Sequence, residues 1–140
     1  NAAARSAIAR EISPRVWCID AGNDADFGQV LVGNASLELL GRVFDPKTGL
    51  CYALPLPTLV RPELLVAPPA SCAGPGQGPT INQFMAALLV ETVRQLMEGR
   101  LSWWQMYLDL EAMAVRTVPP TPEGVSRITR VSVRRLVERR

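Results

Sequence analysis

Cys72 is the side chain whose surroundings best suit nucleophilic chemistry. It stands in Pro68-Pro-Ala-Ser-Cys-Ala-Gly-Pro75, an irregular stretch just ahead of a long helical pattern. The thiolate is the reactive form of cysteine, and the positive end of a helix opening near Thr80 favours it. The other reading of Cys72 is a loop cysteine with no chemical role. Cys18 and Cys51 fall in strand patterns, where a free cysteine behaves as a small buried hydrophobe. The sequence contains no histidine, which removes Ser-His-Asp and Cys-His catalysis and histidine-based zinc ligation. Three scattered cysteines without a Cys-x-x-Cys describe neither a structural zinc site nor a disulfide scaffold. They point to a reducing compartment, and the cytoplasm is the expected location.

Two further polar groups stand out. Asn1-Ala-Ala-Ala-Arg5 opens a helical pattern, so Asn1 can cap that helix and Arg5 can be a solvated first-turn residue. Asp20, Asn23 and Gln29 surround a glycine-punctuated stretch, Asp20-Ala-Gly-Asn-Asp-Ala-Asp-Phe-Gly28, in which turn chemistry explains Asp and Asn well. Asp24 and Asp26 read as turn residues.

The elements that must position these groups alternate between helix and strand. Ala3, Ile8, Ala9 and Ile12 share one helical face, and Pro14 ends that helix. Val16–Ile19 reads as a short buried strand and Gln29–Val32 as a second one. Residues 37–54 read as a hairpin turning at Asp45-Pro-Lys-Thr-Gly49. Residues 55–79 are a proline-rich crossover loop, in which long helices and central strands are excluded. Ile81, Phe84, Met85, Leu88, Leu89, Val93, Leu96 and Met97 keep a helical period that predicts one long core helix. Thr80 and Gln83 have capping-box spacing, and Gly99 suits the position just past the helix end. Trp104–Leu110 and Ala112–Val118 form another hairpin, closed by Pro119-Pro120. Of Trp103 and Trp104, one is expected in the core and the other at the hairpin start, with partner anchoring as the alternative.

With 140 residues, 48% of them hydrophobic and 20% charged, the chain has the composition of an ordinary folded protein with one core. A net charge of +2 steers it to neither nucleic acid nor membrane. No apolar run reaches the length of a bilayer span. The positive excess is local: six arginines stand in the last fourteen residues, interleaved with Val125, Ile128, Val131, Val133, Leu136 and Val137. Residues 121–140 are therefore expected to dock as a basic tail; the pattern is ambiguous between helix and strand, and a docking helix is the favoured reading. No aromatic residue is interleaved to stack on bases, so nucleic acid is not the expected partner.

The order of these elements resembles the second half of a ThiF-type adenylyltransferase, the family of ubiquitin-activating enzymes and sulfur-carrier activators. Asn1-Ala-Ala-Ala-Arg5 fits the last five positions of that family's Asp-Asn-x-x-x-Arg motif. Trp17-Cys-Ile-Asp-Ala-Gly-Asn23 with Gly28-Gln-Val-Leu-Val-Gly33 is most similar to the ThiF proteins of the bacterial PRTRC gene system. Pro-Ala-Ser-Cys72, Ile81-Asn-Gln83 and Glu98-Gly-Arg-Leu101 are similar to those proteins as well. The resemblance spans residues 1 to about 120. It departs in lacking the family's Gly-x-Gly-x-x-Gly loop, acidic ribose contact and metal-binding Asp.

The resemblance implies an α/β fold: the carboxyl-terminal part of a Rossmann-like ThiF domain, a mixed sheet with antiparallel hairpins and one long core helix. It implies ATP-dependent adenylation of the C-terminal carboxylate of a small ubiquitin-like or sulfur-carrier protein, with pyrophosphate leaving. ATP and magnesium would be held mainly by an N-terminal half that is missing from this sequence or supplied by a partner chain, and the assembly would be a dimer. Arg5 would lie near the triphosphate, Asn1 beside the nucleotide, and Asp20 and Asn23 toward the adenylate. Cys72 occupies the place where ubiquitin-activating enzymes carry a Pro-x-Cys thioester cysteine. An acyl adenylate has so good a leaving group that its attacking thiol needs no histidine. The competing expectation is a non-catalytic half-domain that pairs with an active partner.

Overall fold

The computed structural model describes residues 2–11, 13, 16–66 and 78–137. Its elements are α1 (Ala2–Glu11), β1 (Cys18–Asn23), β2 (Phe27–Gly33), α2 (Pro57–Val60), α3 (Pro79–Met97), β3 (Gln105–Asp109), β4 (Ala114–Val118), α4 (Pro122–Thr129) and α5 (Val133–Val137). Short 3-10 turns occupy Leu37–Leu39 and Pro62–Leu65. The fold is mixed α/β, with a four-stranded antiparallel sheet in the order β1-β2-β3-β4. Among the described residues, no helix is long and apolar enough to cross a membrane.

The described residues fall into two compact units. One draws on Ile19–Leu31 and Ala70–Pro119; the other on Asn1–Cys18, Val32–Pro69 and Pro120–Arg140.

The sheet-bearing unit is organised around α3. Helix formation begins at Gly78, with Pro79 at the first helical position, where its fixed φ fits and its missing N–H costs nothing. Thr80 thus lies inside the first turn, and the expected capping box does not form: no side chain caps α3. The other end follows the sequence. Gly99 takes φ 65°, its N–H donates to Leu96 O (3.1 Å), and Arg100 N–H donates to Gln95 O (2.9 Å). These two bonds satisfy two of the carbonyls that the end of the helix leaves free.

The expected core stripe on α3 is narrower than its apolar pattern. Ile81, Met85 and Thr92 are buried, whereas Phe84, Val93 and Met97 are exposed. The buried residues repeat at steps of four and seven, one face of a helix lying on a sheet. Thr92 is tolerated inside because its hydroxyl donates to Leu88 O at 2.6 Å. Gly28 of β2 lies against this face; a Cβ there would stand 2.2 Å from the Met85 sulfur.

β3 and β4 form the expected hairpin, in register from Gln105↔Val118 to Asp109↔Ala114. β3 also pairs with β2, from Phe27↔Asp109 to Leu31↔Gln105. Trp103 and Trp104 are both buried, so neither is an exposed anchor. The expected strand at Val16–Ile19 is displaced. Val16 is 54% exposed, the strand begins at Cys18, and every residue of β1 is only partly buried. An edge strand has one neighbour, so it cannot bury its residues as a central strand does.

In the other unit the chain around Gly33–Ala35 runs beside Leu54–Leu56. Asn34 N–H and Ala35 N–H both donate to Leu54 O (2.9 Å each), and Leu56 N–H donates to Ala35 O (3.0 Å). The buried Asn34 accepts from Leu54 N–H through its side chain (2.9 Å), so its polar oxygen is not left unpaired. The expected hairpin over 37–54 reduces to a single antiparallel bridge, Phe44↔Cys51, around a turn. There Asp45 Oδ1 accepts from Lys47 N–H (2.7 Å) and Thr48 N–H (3.0 Å). Those backbone donors hold the Asp45 carboxyl below the usual carboxylate range.

The 2–12 helix forms, but its expected apolar face does not reach the core. No described residue of α1 is buried, and Ile8 is 47% exposed. The basic stretch resolves as helix. Val125, Val131 and Leu136 are buried, α4 packs on α2 and on α5, and Arg42 and Phe44 N–H donate to the carbonyls of Arg135 and Leu136 (2.9 and 3.1 Å).

Candidate functional site

The two faces of the sheet differ in kind. Directly paired residues of an antiparallel sheet project on the same side. Gly28 meets α3, so its partner Leu108 and the next pair, Val30 and Met106, share the helix-facing side. The alternate positions form two rows on the opposite side, a polar one of Gln29, Tyr107 and Arg116 and a mixed one in which Gln105 stands between Leu31 and Val118. Tyr107 Oη donates to Gln105 Oε1 at 2.8 Å. Gln105 is 5% exposed, and its Nε2 is a buried donor with no hydrogen-bond partner among the described residues. A buried amide left unpaired is costly, and the same burial keeps this N–H from solvent. The alternation of Gln105-Met-Tyr-Leu-Asp109 carried the signal for this row; sequence reasoning used it to assign a strand and passed over its polar face.

Asp20 and Asn23, expected beside a glycine turn, are within β1 itself. The turn lies just beyond them, where Asp24 N–H donates to Phe27 O (2.8 Å) and Asp24 Oδ1 accepts from Ala25 N–H (2.9 Å). Asp24 and Asp26 are turn residues, as their composition suggested. Asn23 Nδ2 donates to Asn82 Oδ1 in the first turns of α3 (2.9 Å), which puts it on the helix-facing side. Strand alternation then puts Asp20, three residues earlier, on the other side with Gln29, Tyr107 and Gln105. The two residues therefore do not converge on one face. Asn82 was not singled out in the sequence, because nothing local to α3 shows which strand its side chain meets.

Arg5 is partly buried on α1. Asn1 and Cys72 lie outside the described residues. Neither Cys18 nor Cys51 is in a disulfide. The Cys51 thiol donates to Ala53 O (3.2 Å), and burial pushes its pKa up to about 11. That holds its thiolate roughly a hundredfold below an ordinary cysteine at neutral pH. Iodoacetamide is expected to label Cys51 about a hundredfold more slowly in the folded chain than in urea. Peptide mass spectrometry over a time course checks this, and equal rates would show the site to be open.

Among the described residues, no three His, Cys, Asp or Glu side chains converge to hold a metal. No family model, curated protein or solved structure matches this chain.

Proposed function

We propose that this chain is the carboxyl-terminal part of a ThiF-type adenylyltransferase, which activates the C-terminal carboxylate of a ubiquitin-like or sulfur-carrier protein. What supports the reading is the position of β1. It follows a helix that buries none of its described residues, and it is the end strand of the sheet order β1-β2-β3-β4 among the described residues. An end strand is the place at which a sheet takes on further strands. In this proposal they come from another segment or another chain.

The described residues do not by themselves fit magnesium–ATP. They bring together no metal-binding cluster, and the sequence has no glycine-rich phosphate loop. Phosphate and metal binding are therefore assigned outside them. This chain contributes Arg5 as a cation in the first turn of α1, and the sheet side with Asp20, Gln29 and Tyr107 as the side that receives the modifier's C-terminal tail. Cys72 is the proposed acceptor of the activated acyl group.

Pyrophosphate exchange into ATP by the native gene product, with small ubiquitin-like proteins of the same genome, tests the proposal. The expected result is modifier-dependent exchange that drops by about a hundredfold in Arg5→Ala. Cys72→Ala keeps exchange and loses a thiol-labile adduct. Absence of exchange with every modifier would overturn the enzyme reading. The competing proposal, a non-catalytic half-domain that pairs with an active partner, is favoured by the exposed Val90, Val93 and Met97 on the outer side of α3, opposite the buried Ile81 and Met85. It expects stable co-purification with a second ThiF-type chain and no exchange by this one.

A further inference from the structure

The stretch from Arg42 to Tyr52 and the end of α5 line a cavity of about 600 Å³. That is the size of a small-molecule site and more than a lone ion would fill. Its surroundings are set by backbone hydrogen bonds. Arg42 N–H and Phe44 N–H donate to Arg135 O and Leu136 O of α5 (2.9 and 3.1 Å). Tyr52 N–H donates to Val43 O (2.7 Å), and Asp45 N–H donates to Leu50 O (2.8 Å). The turn between them is closed by Asp45 Oδ1, which accepts from Lys47 N–H and Thr48 N–H. The backbone around the cavity is thus held in place before any ligand arrives, which lowers the entropy cost of binding.

Two cations line this cavity. Neither the Arg42 guanidinium nor the Lys47 ammonium has a hydrogen bond or ion pair among the described residues. The carboxylate in the wall, Asp45, is engaged by other donors. Its Oδ1 takes the two turn N–H groups, and its Oδ2 accepts from the Tyr52 hydroxyl (3.4 Å). Arg42 also adopts φ 58°, the left-handed region that an arginine enters at a cost and a glycine does not. Its head group makes no bond within the described fold to offset that cost. The rest of the lining is aromatic or apolar. Phe44 is buried and Tyr52 is 59% exposed, so the site offers an aromatic ring that a planar group can cover. Pro46 and Val137 add apolar surface.

We propose that this cavity binds a small phosphate monoester carried on a planar ring. Arg42 and Lys47 take the phosphate, Arg42 through paired N–H donors and Lys47 as a point charge. The ring lies against Tyr52 and the apolar lining. Asp45 has its own donors, so both cations remain to be matched. A phosphate monoester carries nearly two negative charges at neutral pH, whereas a carboxylate carries one. A concave site bounded by one turn and one helix end suits a small molecule rather than a macromolecular surface. The proposal is independent of the adenylation reading, since it uses only residues 42–52 and Val137, to which that reading gives no role.

Titration of the full chain with naphthyl phosphate, followed by amide NMR spectra, is the test. Saturable shifts are expected at residues 42–52 and at Val137. Naphthoate should bind about tenfold more weakly, and inorganic phosphate more weakly again, since each keeps only part of the match. Lys47→Gln should weaken naphthyl phosphate about tenfold. Tyr52→Ala should weaken it about fivefold and leave inorganic phosphate unchanged. Arg42→Gly should weaken binding at least about tenfold while its thermal midpoint stays at or above that of wild type, because glycine relieves the left-handed backbone. Arg100→Gln, on the sheet-bearing unit, should change neither affinity nor midpoint. Absence of saturable shifts up to about 10 mM ligand overturns the proposal. So does equal binding of naphthoate, or equal binding of inorganic phosphate, which would mean an adventitious ion only. Undiminished affinity in Arg42→Gly overturns it too. If Arg42→Gly lowers the midpoint, Lys47→Gln, at an exposed turn position, decides, and unchanged affinity there overturns the proposal as well.

Discussion

Replacing Gly33 by alanine is expected to unfold a large share of the molecules at room temperature. The Cβ of an alanine there would stand 1.9 Å from the carbonyl oxygen of Pro55 and 2.6 Å from its carbonyl carbon. Both are backbone atoms in a segment held by the bonds between Asn34–Ala35 and Leu54–Leu56. Relief requires pulling those strands of chain apart, because no side chain can rotate out of the way. A cost of about 3–5 kcal/mol is expected, a large fraction of the stability of a small domain. Gly28→Ala makes the informative comparison. The new Cβ there meets the Met85 sulfur, the end of a flexible side chain that can move, so about 1–2 kcal/mol is expected. Urea denaturation of both variants checks the order. If Gly33→Ala is the milder of the two, the close approach of the Gly33 and Pro55 backbones is wrong.

Trp104→Ala is expected to cost a similar amount, about 3–5 kcal/mol, since the indole is completely buried and leaves a large cavity. Its indole N–H gives this site a second, opposing effect. Trp104 Nε1 is buried with no hydrogen-bond partner among the described residues, so the native state carries a desolvated donor. Trp104→Phe keeps most of the apolar volume and removes that donor. The two effects oppose each other, and a net cost of at most about 1–2 kcal/mol is expected. Equilibrium unfolding of the pair decides the matter. Equal losses in the two variants would show that Nε1 has a partner whose bond phenylalanine cannot replace.

Much of the sheet-bearing unit was legible in the sequence because its signals are local. Gly99 ends α3 by what it permits at φ, and the alternation of Gln105–Asp109 and Ala114–Val118 marks a hairpin without reference to the rest of the chain. Local signals misled where chemistry and topology disagreed. Asp20 and Asn23 belong to a composition typical of turns, yet pairing with β2 keeps both inside β1. Val16 has strand propensity but is exposed outside the sheet.

The candidate site was the least legible part. The polar face depends on which side of β2 and β3 α3 covers, and that is decided by Gly28 and Met85, about sixty residues apart in the chain. The arginine-rich stretch was ambiguous between helix and strand by pattern, with a docking helix favoured by its interleaved apolar residues. Burial of Val125, Val131 and Leu136 resolved it.

By itself, then, the sequence determined the existence and the C-terminal end of the long helix, the final hairpin and the concentration of positive charge near residue 130. Each follows from steric and pairing preferences acting within a few residues. Only the tertiary structure decided that Thr92 is inside while Met97 is outside, that both tryptophans are buried, and that Asp20 and Asn23 part to opposite faces. Burial is a property of contacts between distant segments. A residue's own apolarity biases those contacts, while the packing partner selects which face is covered.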